Sequence, residues 1–392
     1  MWLPNINPDQ TKALRELHIT GSSLLNKIAS TIRIWKRRRR IRNIWKASCT
    51  EERKELAQVM KDLYALIWRY DRSHEHLIHH YFASSCFRKD RSIHDTVMWS
   101  EWYSALVVYS YRHLDLMKRL YNKASSKLLL KEAGLPVPLT LGKLKASGEK
   151  LLYRGNDDEE SNFSDIIREH KVLFIKPDSA SFGDGCMKME ASAIFCKVNG
   201  LDCTESELAA KLGNDTFLVE QYVENHPILK AFHPQSLNTV RFITMQTPNS
   251  NWELARAALR MGVGNMNIDN LSAGGIAVAI HKDGTLNASS GANLSGVSSY
   301  TRHPDTLIKF EGTKIPYYDE SVDLCIKAHR TCCPSLFCIG WDIAITTDGP
   351  ILIEINPHTG LIQSPCGGMR HVYETYLKPL AIKQAHTYPK EP

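Results

Sequence analysis

The chain reads as an α+β protein. A helical, basic N-terminal region is expected over residues 1–120, followed by two α+β portions over 121–225 and 226–392. Three observations predict this. Apolar residues recur at helical spacing up to about residue 120. The texture changes at Gly134-Leu135-Pro136-Val137-Pro138, after which short apolar runs and tight turns dominate. Near the C-terminus, residues 337–357 form two apolar runs joined by a turn, the pattern of a β-hairpin.

The 392 residues suffice for two or three domains' worth of packing, and 43% hydrophobic with 23% charged residues is ordinary for a globular protein. No apolar run is long enough to predict a spanning helix. Residues 1–10 lack the basic-then-apolar pattern of a secretory signal. The ten cysteines are scattered without a Cys-x-x-Cys pair, so reduced thiols in a cytoplasmic protein are expected.

The net charge of +7 is concentrated locally. Arg33, Lys36, Arg37, Arg38, Arg39, Arg40, Arg42 and Lys46 follow one another with no acid among them. This suits a polyanion: an anionic membrane surface, a nucleic acid contacted without sequence reading, or a phosphorylated substrate. On a helix, Ile34, Ile41 and Trp45 fall near one line, so a peripheral membrane helix is one expectation. A solvated basic helix face is the other.

Within the N-terminal region, residues 51–70 contain no Gly or Pro, and Leu56, Val59, Met60, Leu63, Leu66 and Ile67 keep a helical period. Thr50 is placed to cap this helix, but Arg53 stands where a capping box needs Glu or Gln. His76 and His80 are four apart, yet no His-Glu-x-x-His motif accompanies them, so a metal site is not expected there. Residues 97–130 continue helical, with Trp99, Trp102, Tyr103, Leu106 and Val107 as a core stripe. Asp157-Asp158-Glu159-Glu160 reads as a solvated acidic loop. From Lys171 to about residue 385, strands and helices are expected to alternate.

The chemistry is carried by polar residues set into apolar strands. Glu354 and Asn356 are two apart and share one strand face. If Asp342 lies opposite Glu354, all three converge. That register needs a three-residue loop, Thr347-Asp348-Gly349, with Gly349 at positive φ, and Pro350 forgoes a ladder bond. Two carboxylates and an amide form a hard-oxygen set suited to Mg²⁺. Upstream, the apolar strand 172–177 contains Lys176, which cannot stay buried unpaired. The loop Ser181-Phe182-Gly183-Asp184-Gly185-Cys186 follows, able to offer backbone N–H groups to phosphate, although it is not a Walker A loop. The run 216–224 then leads from apolar residues into Glu220, Tyr222, Val223 and Glu224.

This order of lysine, glycine loop, acidic hinge and terminal Asp…Glu-x-Asn resembles the ATP-grasp enzymes, and more closely the sugar-transfer-associated group. The segments 236–244, 268–276 and 339–356 carry the resemblance, which covers about residues 121–375. It implies an ATP-grasp fold, in which two α+β subdomains grip ATP. Position by position, it implies that Lys127 and Lys176 contact ATP phosphates or adenine. Ser181, Phe182, Gly183 and Gly185 would cover the phosphates. Glu220 with the Tyr222 and Val223 backbone would hold adenine, and Glu224 or His226 the ribose. Asp342, Glu354 and Asn356 would bind Mg²⁺. Arg241, Arg260 and Asn270 would face the γ-phosphate and an acyl intermediate, with Gly274-Gly275 allowing backbone approach. Structural ion pairs are the other reading of Arg241 and Arg260, and His303 and His358 are candidate bases. The implied activity is ADP-forming ligation of a small-molecule carboxylate to an amine. A kinase acting on a hydroxyl, or a nucleotide-binding module docking on a membrane or partner, are the competing readings.

Overall fold

The computed structural model describes residues 24–47, 53–70, 74–84, 86–89, 91–178, 185–247, 251–290, 300–360 and 369–385. The N-terminal region is helical: α1 (Leu24–Lys36), α2 (Arg38–Ala47), α3 (Leu56–Arg69), α4 (His74–Ala83), α5 (Trp99–Ser110), α6 (Leu114–Tyr121) and α7 (Lys123–Glu132). Helix α3 begins at Leu56, the first residue of the periodic set and later than the start of the Gly- and Pro-free stretch, and Glu55 gives no side-chain cap. Thr50 lies outside the described residues. The expected continuous helix over 97–130 is broken twice, by a 3₁₀ turn at Tyr111–His113 and at Asn122. Asn122 breaks it because its side chain accepts a hydrogen bond from Ser125 N at 2.8 Å and starts α7 afresh.

Two antiparallel sheets follow. The first comprises β1 (Thr140–Ser147), β2 (Lys150–Gly155), β3 (Glu160–Ser161), β4 (Val172–Pro177), β5 (Met187–Ala191), β6 (Cys196–Val198), β7 (Leu201–Cys203) and β8 (Thr216–Gln221), ordered 3-2-1-8-4-5-6-7. Helices α8 (Phe163–His170) and α9 (Glu205–Leu212) cover one face, burying Leu144, Leu173, Ile175, Phe217 and Val219 among others. After α10 (Pro227–Phe232), the second sheet comprises β9 (Thr239–Gln246), β10 (Trp252–Met261), β11 (Ile276–Ile280), β12 (Leu286–Ser290), β13 (Cys338–Thr346) and β14 (Gly349–Asn356), ordered 12-11-10-9-13-14. The expected alternation of strands and helices does not hold over β9 to β12, which run as an antiparallel meander. Antiparallel neighbours need only a short turn, so no crossover helix is required.

One face of the second sheet packs Val240, Phe242, Trp341 and Ile343 with Cys325 and Ala328 of α11 (Tyr318–Cys332). The other face packs Ile243, Met245, Ala258 and Ala277 with Trp102 and Leu106 of α5. Tyr373 and Leu377 of a π turn, and Ala381, join that core from the C-terminal helices α12 (Met369–Val372) and α13 (Lys378–Ala385). Helices α1 to α4 have a core of their own, centred on Leu63, Leu66, Tyr81 and Phe82.

The apolar line of the basic stretch faces inward. Ile34 and Ile41 are fully buried in that helical core, with Ile44 and Trp45 packed against it. The period identified residues sharing a face, and the protein's own core takes that face in place of lipid.

Candidate active site

The β13–β14 hairpin places Asp342 opposite Glu354 and Gly340 opposite Asn356. It does so by a different route from the one expected. The turn has two residues, Thr347 and Asp348, and Thr346 pairs with Gly349, whose φ is 121°. The ladder shifts by one residue after Asp342, leaving Ile353 as a bulge, and this restores the Asp342–Glu354 pairing. Pro350 is tolerated opposite Ile345 because β14 is an edge strand.

Asp342 also lies opposite Arg241 on β9, so the three side chains share one sheet face. Arg241 grips Asp342 with two hydrogen bonds, Nε to Oδ1 and NH2 to Oδ2, the second at 3.0 Å. Arg260 on β10 reaches the same Oδ2 at 3.0 Å and Asp269 Oδ1 at 3.3 Å. Asn356 Nδ2 lies 3.4 Å from Asp342 Oδ2. Burial alone would raise the Asp342 carboxyl, but Arg241 and Arg260 outweigh it and hold it below the usual carboxylate range. Burial would lower the Arg260 guanidinium, but Asp269, Asp342 and Glu354 hold it above its ordinary value. The ion-pair reading of both arginines is therefore realised, at the very carboxylate expected to face a cation. Glu354 is the exposed member of the row.

The first sheet contributes a second charged cluster. Lys176 on β4 and Lys127 on α7 both bind Glu220 Oε1, at 2.8 and 2.5 Å. Lys176 and Glu220 lie diagonally on neighbouring strands, on the face opposite the Leu173–Ile175 core positions. Glu220 is 3% exposed. Burial would raise its carboxyl, but Lys176 and Lys127 bring it below the ordinary range. The lysines differ: burial pulls Lys127 down to about 8, whereas Lys176 stays above its usual value because Glu220 outweighs its burial. One carboxylate cannot fully compensate two buried ammonium groups. The clusters face each other, since Lys176, Arg260 and Cys186 all lie in the field of Glu354.

The remaining expected residues are more dispersed. Ser181, Phe182 and Gly183 lie outside the described residues. Gly185 has φ 74°, and a Cβ there would meet Pro177 Cγ at 2.8 Å, so the loop end stays close to β4. Tyr222 is half-buried under Lys188, 4.9 Å from its ring centre, and Val223 is half-buried beside it. Glu224 is exposed and pairs with Lys230. Asn270 accepts through its carbonyl from Gly275 N at 3.0 Å, closing the turn before β11. His226 caps α10, accepting from Ile228 N at 3.3 Å. His303 is fully buried with Nε2 2.9 Å from Gly262 O, a loop-holding position with no access for a substrate proton. His358 is pulled down to about 4 by burial and bonds Ser110 Oγ at 2.6 Å and the Tyr121 hydroxyl.

Two contributors escaped the sequence reading. Asp269 Oδ2 accepts from Thr239 N at 2.8 Å, while Thr239 Oγ1 accepts from Arg260 NH2 at 2.7 Å. A carboxylate beside Asn270 was the available signal, because a buried arginine at the site needs more than one counter-charge. The pairing of Ser110 and Tyr121 with His358 had none, since their sequence separation exceeds 230 residues.

Two charged lobes meeting across antiparallel sheets define the class: this is an ATP-grasp fold. The match of residues 107–368 to the family model described as sugar-transfer associated ATP-grasp, more than half the chain, places the protein in that family. Among solved structures, it is similar to the biotin carboxylase domain of 2-oxoglutarate carboxylase from Hydrogenobacter thermophilus. That match has 14% identity and a TM-score of 0.38, over 71% of this chain and 48% of that one. D-alanine–D-alanine ligase from Bacillus anthracis matches at 12% identity and TM-score 0.36, over 68% of each chain. L-amino acid ligase from Bacillus licheniformis matches at 12% and 0.36, over 67% of this chain and 44% of that one. The chain thus spans about half the length of the first of these. No curated protein matches it.

Proposed function

We propose that the protein is an ATP-dependent, Mg²⁺-requiring ligase that joins a small-molecule carboxylate to an amine and releases ADP, in glycan-linked or secondary-metabolite assembly. The observation that carries this reading is the Asp342–Glu354 pair, fixed by cross-strand register and facing the Lys127–Lys176–Glu220 cluster. Two carboxylates and an amide suit a hard cation that shares its shell with phosphate oxygens, and two buried lysines with one carboxylate suit a polyphosphate. Asp342, Glu354 and Asn356 would hold Mg²⁺, which when bound supplies charge neutralisation to the transferring phosphoryl group.

The chain's own residues do the positioning. Lys176 and Lys127 hold phosphate oxygens, and Gly185 keeps the loop end close to β4. Glu220 orients both lysines, leaving adenine to the Tyr222 and Val223 backbone and ribose to Glu224. Arg241 and Arg260 orient Asp342 and offer positive charge to the γ-phosphate and the acyl group, with Asn270 at the turn beside them. The substrate carboxylate attacks the γ-phosphorus, the bond to the β-phosphate oxygen breaks, and ADP leaves. The amine then attacks the acyl carbon, phosphate leaves, and the amine loses a proton. Such transfer depends on placement and charge and needs no covalent protein nucleophile.

The test is ADP release from a panel of carboxylates in the presence of hydroxylamine. A hydroxamate formed with ADP supports the acylphosphate. ADP with a phosphorylated alcohol and no hydroxamate makes the protein a kinase. Nucleotide binding without ADP for any substrate leaves a binding module.

A further inference from the structure

Helix α1 carries an apolar face that the helical core does not use. Ile34 is its buried residue, yet Leu25 is 76% exposed, Ile28 45%, Ile32 49% and Trp35 54%. At 3.6 residues per turn these four, with the equally exposed Leu24, span roughly 100° of arc on the side turned away from Ile34. Trp68 of α3, 53% exposed, adjoins the same helix: Lys27 donates to Trp68 O at 3.0 Å and lies 5.6 Å from its ring centre. An exposed strip of this extent, with Trp35 at its C-terminal end, is uncommon on a monomer surface.

The rim of the strip is basic. Helices α1 and α2 contain no acid, and Arg33, Lys36, Arg38, Arg39, Arg42 and Lys46 all face solvent. Arg37 and Arg40 share Glu75 as their counter-charge. Arg38 stacks on the Trp35 ring at 4.1 Å, joining the charged rim to the apolar strip. A nucleic acid would use the charges and leave the leucines and isoleucines in water. A protein groove would use the strip and gain little from so many exposed arginines. An anionic bilayer uses both, taking apolar side chains and tryptophans at the headgroup–acyl boundary and basic groups at the phosphates.

We propose that this surface docks on an anionic membrane, with α1 lying in the interface plane and α2 against the headgroups. The docking is independent of the nucleotide site. It also differs from the orientation the sequence suggested, since Ile34 and Ile41 point into the protein. The substrate site would thereby be held near a lipid surface.

The experiment is co-sedimentation of the full chain with phosphatidylcholine vesicles, with and without roughly a third phosphatidylserine. Two variants accompany it: Ile28→Asp with Ile32→Asp, and Arg38→Glu with Arg39→Glu and Arg42→Glu. All five positions are exposed, so far-UV circular dichroism and the unfolding midpoint should be unchanged. The expected result is binding to the anionic vesicles alone, a blue shift of tryptophan emission, and release as salt rises from about 0.1 to 0.5 M. Each variant should lose about tenfold or more in vesicle affinity. Equal binding to neutral and anionic vesicles would overturn the proposal. So would undiminished binding by the aspartate variant, which would leave a charge-only surface. A wild-type dimer that the aspartate variant converts to a monomer, without vesicle binding by either, would assign the strip to a second copy of the chain.

Discussion

Lys127 and Lys176 share one carboxylate, and the shortage of negative charge falls on Lys127. Its ammonium is pulled down to about 8 by burial, so the free protein loses that proton just above neutrality. A polyphosphate beside it raises the value again. Below pH 8 the lysine is charged with or without ligand, and affinity is flat. Above pH 8 binding must restore the proton, so ATP affinity is expected to fall about tenfold between pH 7 and 9. Calorimetry in buffers of different ionisation enthalpy should show proton uptake in that window. A Lys127→Met variant should bind weakly without the slope; a wild-type affinity that stays level to pH 9 would remove Lys127 from the site. Glu354 makes a separate test. It is exposed, so Glu354→Gln should leave the unfolding midpoint unchanged while Mg²⁺-dependent turnover drops about a hundredfold or more. Wild-type turnover in that variant would sink the metal assignment.

At the scale of elements, cross-strand register does most of the assembly. Asp342 meets Arg241 on one side and Glu354 on the other because β13 lies between β9 and β14. The three polar residues and their shared face were legible from a two-residue period, because a strand in a covered sheet rarely spends polar side chains inward without purpose. The bulge at Ile353 was not legible: a two-residue turn plus one extra residue and a three-residue turn both set Asp342 against Glu354. Nor was the use of Ile34 and Ile41, since periodicity defines a face without saying what covers it. The 270s turn shows the steric side of element packing. A Cβ on Gly275 would meet Met261 O at 2.8 Å, Asp269 O at 2.9 Å and Asn270 O at 3.0 Å. These are backbone atoms that cannot rotate away, and Asp269 is a counter-charge of Arg260. Gly275→Ala should therefore destabilise by about 1–3 kcal/mol in urea unfolding and weaken ATP binding with it. A stability change within experimental error would show that the turn relaxes freely.

For the whole molecule, the helices of the N-terminal region are not uniformly appended. Helices α1 to α4 have their own core, but α5 is built into the second sheet. Trp102 is fully buried there and donates from Nε1 to Thr359 O at 3.0 Å, just beyond Asn356. Ser110 and Tyr121 bond His358 from the same side. Arg370 of α12 is buried against Glu101 of α5 at 3.1 Å, bonds the Tyr70 hydroxyl, and donates to Thr96 O at 3.0 Å. The end of β14, which carries Glu354 and Asn356, is therefore braced by residues that precede the first β-strand. Removing residues 1–120 would uncover Ile243, Met245, Ala258 and Ala277, and would leave the Arg370 guanidinium with Glu374 as its one counter-charge among the described residues. Losing one partner of a buried ion pair costs about 3–5 kcal/mol, comparable to a domain's whole stability, and the exposed apolar face adds to it. The fragment 121–392 is expected to keep far-UV circular dichroism, lose its near-UV signal, bind a hydrophobic dye and bind no ATP. A chain lacking residues 1–94 loses the α1–α4 core as a unit but retains α5, Glu101 and Thr96, and should unfold cooperatively and still bind nucleotide. A cooperatively folding, ATP-binding 121–392 fragment would show that α5 and the Arg370 network are dispensable to the grasp.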